Sequence, residues 1–507
     1  MRKTVLTWLA WLAVGSALAE GAEDEVYPSG IVLSTEIQAT GSHHQSPLWL
    51  LANKYGMGSA EDRNGYVRIC AERDLRQDRE KNWGLGYSAD LYLAYGDYGT
   101  LNVQQLYMKA RYRMLSLTLG QREEPAEFMN QELSSGGQTL GINARPVPGV
   151  RMGIDDYWDV PGLCGWLGVR GHIFYGIHTD GDWNEHVAKG YTTYGKEALQ
   201  HTKAGYLRIG PKKLPLSVEG GLQMGAIWGG KSYKADGELR QKESFEMKQL
   251  VYALTCQEKD EGGWTSMGNM LGSWLVRVNY ERPEFDAHLY TDIFFERRSG
   301  MFFAEREVTM TSTDGEDYTY TVNYPFKDKL LGLEMHAPTF RFLNGLVVEY
   351  VYTKYQQGPI GHESSEFIPE VLSGSNSYYN HGTHSWTHRG QVLGNPLFRS
   401  PVFNTDHSLD VQNNRFVAWH VGVSGDPTPR LHYRLLMSWQ KGWGTYTHPY
   451  IPIRNNTSVL TEVSYQFGNK ANGLLLKGAL AADKGEILGN NLGGQLTLRY
   501  TYGLKKK

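Results

Sequence analysis

Hydrophobic and polar residues alternate along several stretches of the C-terminal half of the chain. In the last stretch, Gly494 to Leu504 (GQLTLRYTYGL), leucines and tyrosines share one face and polar side chains share the other. The same period of two recurs from Leu431 to Gln440, from Val459 to Phe467 and from Ser273 to Tyr280. A period of two predicts β-strands with one apolar and one polar face.

Strand length separates a soluble sheet protein from a membrane barrel. Soluble strands usually have about five or six residues, whereas strands that cross a membrane need about nine to eleven. The stretches here are of the longer kind, aromatic residues cluster at their ends, and charged residues such as Arg434 and Glu462 lie on the polar face. We therefore predict an all-β fold, a transmembrane antiparallel β-barrel of about 16–18 strands. A soluble β-sandwich or propeller is the alternative.

The composition agrees with many strands and gives no sign of a nucleic-acid partner. Tyrosine (32) outnumbers phenylalanine (16), glycine reaches 59, and the net charge is only -3. No apolar run of 18 residues follows the N-terminus, so no transmembrane helix is predicted. Three widely spaced cysteines, Cys70, Cys164 and Cys256, match no zinc spacing or disulfide framework, and we expect at most one disulfide.

The N-terminus has the three parts of a secretory signal peptide. Arg2 and Lys3 precede the apolar run Val5 to Val14, and Ala17-Leu18-Ala19 provides a small-residue cleavage site. We predict a signal peptide at residues 1–19, with cleavage as late as residue 22, followed by a single barrel domain at residues 20–507. Export of a barrel predicts the bacterial outer membrane and its lipid as the location.

Connections of alternating length predict the orientation of the barrel. Counting back from the C-terminus, AADKGEILGNNL is long, NKANG is short, QKGWGTYTHPYIPIRNNT is long and GDPTPR is short. Outer-membrane barrels have short periplasmic turns and long extracellular loops. The long loops are therefore predicted to be extracellular and the C-terminus periplasmic. The connection of nearly sixty residues from Gln357 to Asn414 then lies outside the cell.

Several segments that break the alternation are predicted to fold into the lumen. These are residues 43–64 and 122–132, as short helical or looped pieces. In Asn143 to Pro148 (NARPVP), two prolines cannot sit in a central strand, so a turn or the lumen is expected there. We expect Arg145 and Arg151 to pair with luminal carboxylates such as Glu123 or Glu124.

The stretch Ser375 to Gly390 (SNSYYNHGTHSWTHRG) carries the most conspicuous candidate chemistry. Aromatic faces pack on the C–H patches of sugars, and planar donors and acceptors bind their hydroxyl groups. A second long loop adds Trp443, Tyr446, His448 and Tyr450, whose rings suit the same task. The alternative to sugar binding is that these aromatic residues belong to a membrane-boundary girdle beside an ordinary polar loop. The residues expected to bind polysaccharide are Tyr378, Tyr379, Trp386, Arg389, His381, His384, Trp443 and Tyr446.

Two other chemistries are weaker interpretations of the same residues. His381, His384 and His388 have ligand spacing for a helix, but Gly382 and the β-branched and aromatic neighbours disfavour a helix. We therefore predict no metal and no cofactor. A hydrolase would need a nucleophile beside a base, yet Ser134 and Ser135 have no histidine nearby in sequence and no G-x-S-x-G motif is present. We expect that the chain is not an enzyme.

Five segments, in the same order along the chain, resemble segments of the Wzi capsule-assembly family. They are LSSGGQTLGINARPVPGVRMG (Leu133 to Gly153), LYTDIFFERRSGM (Leu289 to Met301), the segment Leu330 to Pro359, YYNHGTHSWTHRGQVLGNPL (Tyr378 to Leu397) and GWGTYTHPY (Gly442 to Tyr450). The resemblance runs from about residue 31 to the C-terminus. It implies a barrel of about eighteen strands with a blocked lumen, and a surface lectin that anchors or organises capsular polysaccharide.

The function expected from the sequence is therefore an outer-membrane lectin that binds capsular or other extracellular polysaccharide and aids capsule assembly. The main alternative is a sugar- or solute-conducting porin, since both share the barrel. An outer-membrane hydrolase is the third possibility. The sequence does not indicate which polysaccharide is bound or what the oligomeric state is.

Overall fold

The computed structural model describes residues 30–211, 214–243, 245–255, 269–296, 301, 306–311, 317–322, 327–356, 360–365, 368–374, 377–382, 384–470 and 472–504. The predicted signal peptide and Cys256 lie outside these residues. Of the other two cysteines, Cys70 is buried, Cys164 is exposed, and both are free thiols.

Eighteen antiparallel strands form one closed sheet. In chain order they are β1 Val32–His43, β2 Arg63–Arg73, β3 Trp83–Tyr95, β4 Leu101–Tyr112, β5 Leu115–Gln121, β6 Gly149–Asp159, β7 Leu167–Ile177, β8 Leu199–Ile209, β9 Leu216–Trp228, β10 Asn269–Arg282, β11 Phe285–Glu296, β12 Lys329–His336, β13 Gly345–Tyr352, β14 Phe416–Thr428, β15 Leu431–Gly444, β16 Pro449–Gly468, β17 Gly473–Gly485 and β18 Asn491–Gly503. Each strand pairs with its neighbours in sequence, and β1 pairs with β18, from Val32 opposite Gly503 to His43 opposite Leu492. The predicted barrel is confirmed.

The outer face of the barrel is apolar, as the alternation predicts. On β18, Leu492 and Leu496 are 63% and 58% exposed, whereas Gln495 and Thr497 between and beyond them are buried. The same contrast holds on β15, where Met437 faces outward. A polar interior with an apolar exterior is the arrangement that a lipid-embedded closed barrel requires.

The connections divide the barrel into two unlike ends. Every connection from an odd-numbered to an even-numbered strand lies at one end, which we call the loop end, and it includes residues 122–148, 229–268 and 353–415. The other connections, such as residues 113–114 and 429–430, lie at the turn end with residues 30 and 504. The longest connections lie at the loop end, but the alternation counted from the C-terminus is wrong for its two long loops. Residues 445–448 and 486–490 are about as short as residues 469–472, since β16 begins at Pro449 and β17 runs to Gly485.

Exposed aromatic side chains form a girdle at the turn end. The rings of Trp83 and Tyr112, at the ends of β3 and β4, pack 4.4 Å apart. The other large exposed aromatics of this end are Trp158, Trp166, Tyr280, Phe340, Phe342, Phe467 and Tyr502. Aromatic girdles mark the membrane–water boundary of transmembrane barrels.

Three segments of the chain fill the lumen, and we call them together the plug: residues 44–62, 122–148 and, as far as described, 377–415. Within them lies the short helix α1 (Leu48–Leu51), all four of whose side chains are buried. Two more helices, α2 (Gly181–Ala188) and α3 (Met247–Thr255), belong to loop-end connections. None of the helices in the described part of the chain is long and apolar enough to cross a membrane. The luminal pieces predicted from the broken alternation are confirmed.

The plug and the inner wall share one hydrophobic core. The Tyr379 and Phe398 rings pack 4.1 Å apart, and Phe398 lies 5.0 Å from Phe416 on the wall. Leu51 from α1 belongs to the same buried cluster. Close-packed apolar side chains therefore occupy this part of the lumen.

Polar side chains of the wall anchor the backbone of the plug. Asp483 on β17 accepts a hydrogen bond of 3.1 Å from the backbone N–H of Leu48. Glu349 on β13 accepts 2.8 Å and 2.6 Å bonds from the Ser135 N–H and the Ser134 hydroxyl. Because the plug lacks regular ladders, such bonds satisfy backbone groups that would otherwise be buried without partners.

The segment Asn143 to Pro148 lies in the plug outside any strand, as predicted. Arg151 lies 3.9 Å from Glu124, in agreement with the expected pairing. For Arg145 that expectation is wrong, since its guanidinium donates to the Asn102 amide oxygen at 2.9 Å and to the Tyr92 hydroxyl. The planar donors of arginine can be satisfied by neutral acceptors, which sequence spacing does not reveal.

The remaining strands are short and lie outside the barrel sheet. They are Tyr194–Lys196, Lys231–Tyr233 and Leu239–Lys242 in one small sheet, and the hairpins Arg306–Thr311 with Asp317–Val322, Ile360–Ser365 with Ile368–Gly374, and Thr387–His388 with Gln391–Val392. Two 3-10 helices, Leu75–Asp78 and Pro401–Phe403, complete the described elements.

Candidate functional site

The stretch with the most conspicuous candidate chemistry lies largely inside the lumen. Tyr378 and Tyr379 are 0% exposed and Trp386 is 2% exposed, all within the main hydrophobic core. The Tyr378 hydroxyl donates to Asp328 at 2.8 Å, and the indole N–H of Trp386 donates to the Thr139 carbonyl at 2.7 Å. These rings pack between plug and wall.

This burial corrects one expectation from the sequence. The connection is predicted to lie outside the cell, but the described rings of this stretch lie in the lumen, which gives them an apolar environment and hydrogen-bond partners. Nothing tests polysaccharide binding by Tyr378, Tyr379 and Trp386, which stays a prediction. Their rings are covered by side chains of the plug and the wall.

The polar residues of the same stretch lie partly buried around the plug. Arg389 donates from its guanidinium to Asn102 at 2.7 Å and from its backbone N–H to Asp180 at 3.2 Å. His381 and His384 are half-buried, and withdrawal from water lowers the pKa of His384 to about 4. Binding of polysaccharide by these three residues likewise stays a prediction.

Trp443 and Tyr446 lie elsewhere, at the rim of the loop end, among basic side chains. The Lys354 ammonium lies 4.4 Å and the Lys441 ammonium 5.7 Å from the centre of a Trp443 ring. The guanidinium of Arg415 lies 3.7 Å from the centre of the Tyr446 ring. One strand further on, Arg454 stacks on Tyr450 at 4.2 Å. We call these seven residues the rim cluster: Lys354, Arg415, Lys441, Trp443, Tyr446, Tyr450 and Arg454.

Adjacent strands bring the rim cluster together. Lys354 follows the end of β13, Arg415 precedes β14, and Trp443 lies in the last residues of β15. Hydrogen bonds of 2.8 Å and 3.1 Å join the backbone of Trp443 and Gly444 to that of Arg415. All seven side chains are half-buried, so their rings and charges are both held and accessible.

The four basic residues of the rim cluster have no carboxylate ion-pair partner in the described part of the chain. The ion pairs found within 4.0 Å there involve other lysines and arginines. Burial lowers the pKa of Arg415 from its ordinary value, which reflects the partial loss of hydration of its charge. Arg415 also donates from Nε to the Lys354 carbonyl at 3.3 Å. Cations that lack a carboxylate partner keep other donors for an external anion.

A chain of hydrogen bonds joins the rim cluster to the plug. The Tyr446 hydroxyl donates to the carbonyl of Tyr355 at 3.1 Å, and the N–H of Tyr355 donates to Asp328 at 3.0 Å. Asp328 also accepts from Tyr378. The buried Tyr378 therefore helps to position Tyr446 of the rim cluster, through Asp328 and the backbone of Tyr355.

The histidines form a different cluster from the one their spacing in sequence indicates. His388 meets His178 and Asp180, and its pKa is lowered to about 3 by burial. His178 and Asp180 belong to the connection after β7, some two hundred residues earlier in the chain. Spacing within one segment cannot reveal such a meeting, because the contact depends on how the plug is inserted.

The serine pair of the predicted hydrolase alternative is held as a structural feature. The Ser134 hydroxyl donates to Glu349 at 2.6 Å, and the Ser135 hydroxyl accepts from Asn395 at 3.0 Å. Both serines are buried, and no hydrogen bond in the described residues joins either hydroxyl to a histidine. In the described part of the chain, neither serine therefore has the histidine partner of a Ser–His pair.

Sequence reasoning named the three rings of the rim cluster, Trp443, Tyr446 and Tyr450, and missed its four cations. Lys354 is followed directly by Tyr355. Lys441 lies two residues before Trp443, and Arg454 lies four residues after Tyr450. Basic residues next to aromatic residues at strand ends were the available signal. The order of hairpins also predicts that β13, β14 and β15 are neighbours, so their ends meet at one rim.

No protein-family model matches the chain, and no protein of curated function matches it. Among solved structures it is similar to Wzi of Escherichia coli, an outer-membrane protein involved in group 1 capsule assembly and described as a carbohydrate-binding β-barrel. That match has a TM-score of 0.54 at 11% identity and covers 93% of this chain and 85% of Wzi.

The chain is also similar to porins. OprD of Pseudomonas aeruginosa matches with a TM-score of 0.44 at 10% identity, over 97% of this chain and 100% of that chain. A BenF-like porin from Pseudomonas fluorescens matches with a TM-score of 0.45 at 11% identity, over 94% and 98%. At such identities the likeness shows the fold alone, that of outer-membrane β-barrels. It does not separate a lectin from a porin, and membership of the Wzi family stays a prediction.

Proposed function

We propose that this chain is an outer-membrane lectin whose rim cluster binds an acidic polysaccharide and holds it at the cell surface. The observation that carries the proposal is the set of four cations that are stacked on or near aromatic rings and lack carboxylate ion-pair partners among the described residues. Anchoring or organising capsular polysaccharide is the role that this binding would serve.

The chemistry of the rim cluster suits sugars that carry carboxylates. Aromatic faces pack against sugar C–H groups, while a guanidinium binds a carboxylate through two parallel hydrogen bonds. Arg415 and Tyr446 offer both features within 3.7 Å of each other. A neutral sugar would use the rings but leave the charges without a partner. The arrangement therefore favours uronic acids or other acidic units.

The filled lumen favours binding at the rim over conduction through the barrel. A porin needs a water-filled passage lined with polar groups. Here aromatic side chains such as Tyr379 and Phe398 are 0% exposed between plug and wall. A cavity of about 120 Å³, lined by Arg122, Glu124 and Arg151 among others, remains inside the lumen. That volume is small beside the roughly 300–1,000 Å³ of pockets for drug-sized ligands.

In this proposal the loop end faces the outside of the cell, because long loops of outer-membrane barrels are extracellular and short turns periplasmic. The rim cluster would then meet polysaccharide directly. A repeating polymer that binds several barrels at once gains strength through avidity, so a weak single site is sufficient.

The test compares one acidic polymer with its neutral form. The purified barrel, kept in lipid nanodiscs, is mixed with alginate oligosaccharides and with the same oligosaccharides after reduction of their carboxyl groups. We expect binding to the acidic form and at least a tenfold weaker affinity for the reduced form, since hydrogen bonds to charged groups contribute about 1.5–3 kcal/mol. Because alginate stands in for an unidentified glycan, a panel of other uronic-acid and sialic-acid polymers is measured alongside.

Variants locate the site. Arg415→Gln should weaken binding about tenfold or more, and Trp443→Ala about two- to tenfold, on the scale of aromatic contacts. Trp83→Ala removes an exposed ring from the opposite end and is the matched control, with no expected effect. Equal binding by the rim variants and the wild-type protein, or no preference for acidic polymers across the panel, would contradict the proposal.

A further inference from the structure

Two histidines and an aspartate converge inside the barrel from distant parts of the chain. His178 and Asp180 follow β7, and His388 comes from the plug hairpin Thr387–His388 with Gln391–Val392. One ligand atom from each residue lies within 4.8 Å of the others, and all three side chains are buried, at 5%, 4% and 0% exposure. The His178 Nδ1 atom lies 3.9 Å from the Asp180 Oδ2 atom.

Hydrogen bonds on the far side of each ring fix which nitrogen faces the centre. The Nδ1 atom of His388 lies 2.8 Å from the carbonyl oxygen of Arg145, which can only accept, so this nitrogen carries the proton. The Nε2 atom of His178 lies 2.9 Å from the amide oxygen of Gln200 and donates to it in this orientation of the amide. In neutral rings, His388 Nε2 and His178 Nδ1 then present lone pairs. Metal-binding histidines are typically oriented by such a second hydrogen bond.

The contacts within the cluster are too long to explain it as a hydrogen-bonded group. A distance of 3.9 Å between His178 and Asp180 exceeds that of a hydrogen bond. The facing nitrogen of His388 has only weak contacts, at 3.3 Å and 3.4 Å, to the hydroxyl and N–H of Thr179. Asp180 accepts one further bond, from the N–H of Arg389 at 3.2 Å.

The separations suit a shared cation. Imidazole nitrogen and carboxylate oxygen bind zinc at about 2.0–2.2 Å, so two ligand atoms of a tetrahedral ion lie about 3.3–3.6 Å apart. The ligand atoms here lie within 4.8 Å of one another, with one pair at 3.9 Å, so the side chains must close slightly around an ion. Two imidazoles with one carboxylate suit zinc, copper, nickel or iron, whereas calcium and magnesium prefer all-oxygen sites.

We propose that His178, Asp180 and His388 bind one divalent transition-metal ion, with zinc as the reference ion. Because His388 belongs to the plug and the other two ligands to the wall connection, the ion links plug and wall. Metal that binds the folded barrel alone stabilises it by mass action. The site is independent of the rim cluster and of any glycan.

The experiment titrates metal-free, correctly assembled barrel with Zn²⁺ and with Co²⁺. We expect one equivalent of bound metal by elemental analysis, visible absorption of bound cobalt, and a rise in the unfolding temperature with zinc. Asp180→Asn and His388→Gln keep the size of each side chain and should weaken binding by tenfold or more. His420→Gln is the matched control, since His420 is also buried in the barrel but lies outside the cluster.

The outcomes separate a built site from surface binding by the other histidines of the chain, which has sixteen in total. Loss of the one equivalent of bound metal in Asp180→Asn and His388→Gln, but not in His420→Gln, supports the proposal. Wild-type barrel that takes up no equimolar zinc or cobalt overturns it, as does equal binding in the cluster variants. If one of the cluster variants does not assemble, the other one and His178→Gln still decide, because each removes a different ligand of the same ion.

Discussion

The contact between Trp386 of the plug and Gly225 of the wall allows a quantitative test of the filled lumen. Gly225 lies on β9, and a Cβ atom built at this position would lie 2.7 Å from the Cζ2 atom of Trp386, well inside van der Waals distance. The wall thus has a glycine where the indole ring occupies the space of a side chain. The perturbation is a double-mutant cycle of Gly225→Ala and Trp386→Ala.

The magnitudes follow from burial. Trp386→Ala removes a ring that is 2% exposed, which costs about 3–5 kcal/mol. It also removes the 2.7 Å hydrogen bond to Thr139, worth about 0.5–1.5 kcal/mol. Gly225→Ala alone should cost about 1–3 kcal/mol, because the added methyl group overpacks the site. In the Trp386→Ala background the same methyl group should cost about zero, since the ring is gone.

The assay is urea unfolding of the refolded barrel in lipid vesicles, followed by fluorescence of the remaining tryptophans. Altered migration on unheated gels checks that each variant has assembled. The expected coupling free energy is about 1–3 kcal/mol between the two positions. A cost of Gly225→Ala that is the same in both backgrounds would refute the contact and, with it, the placement of this part of the plug against β9.

Two further predictions concern ionisation and orientation. Burial lowers the pKa of Lys54 in the plug from 10.5 to about 7; the unfolded chain therefore holds more protons than the folded barrel between about pH 7 and 10.5. The free energy of unfolding should therefore rise with pH across that window. The Lys54→Met variant should lack this rise when its unfolding is measured at several pH values. Cys164, exposed at the turn end, should react with a membrane-impermeant maleimide only after the outer membrane is permeabilised, in a Cys256→Ser background; labelling in intact cells would show that the turn end faces outward.

The sequence predicts the wall of this barrel much better than its contents. A strand such as β18 has only two faces, so its alternation determines both its conformation and which side meets lipid. A connection such as residues 377–415 carries no comparable period, and its aromatic residues give the same pattern whether they cover the rim or fill the lumen. The rings of Tyr378 and Trp386, expected in an extracellular loop, lie in the lumen instead.

The candidate sites could likewise be predicted only where their residues lie in one segment of the chain. Trp443 and Tyr446 could be predicted because rings at a strand end are visible in one segment. Their partner Arg415 comes from a neighbouring strand, so it requires the order of strands as well. The meeting of His388 with His178 requires the path of the plug through the lumen, which no local pattern contains.

Planar-bilayer recording of the purified wild-type barrel tests the central claim, a lumen closed by a packed plug, most directly. The packing of Tyr379, Phe398 and Trp386 inside the barrel predicts insertion without steady single-channel conductance. A general porin incorporated in parallel shows that channels are detectable under the same conditions. Steady, reproducible conductance steps from the correctly assembled protein would contradict the closed lumen and favour a solute channel.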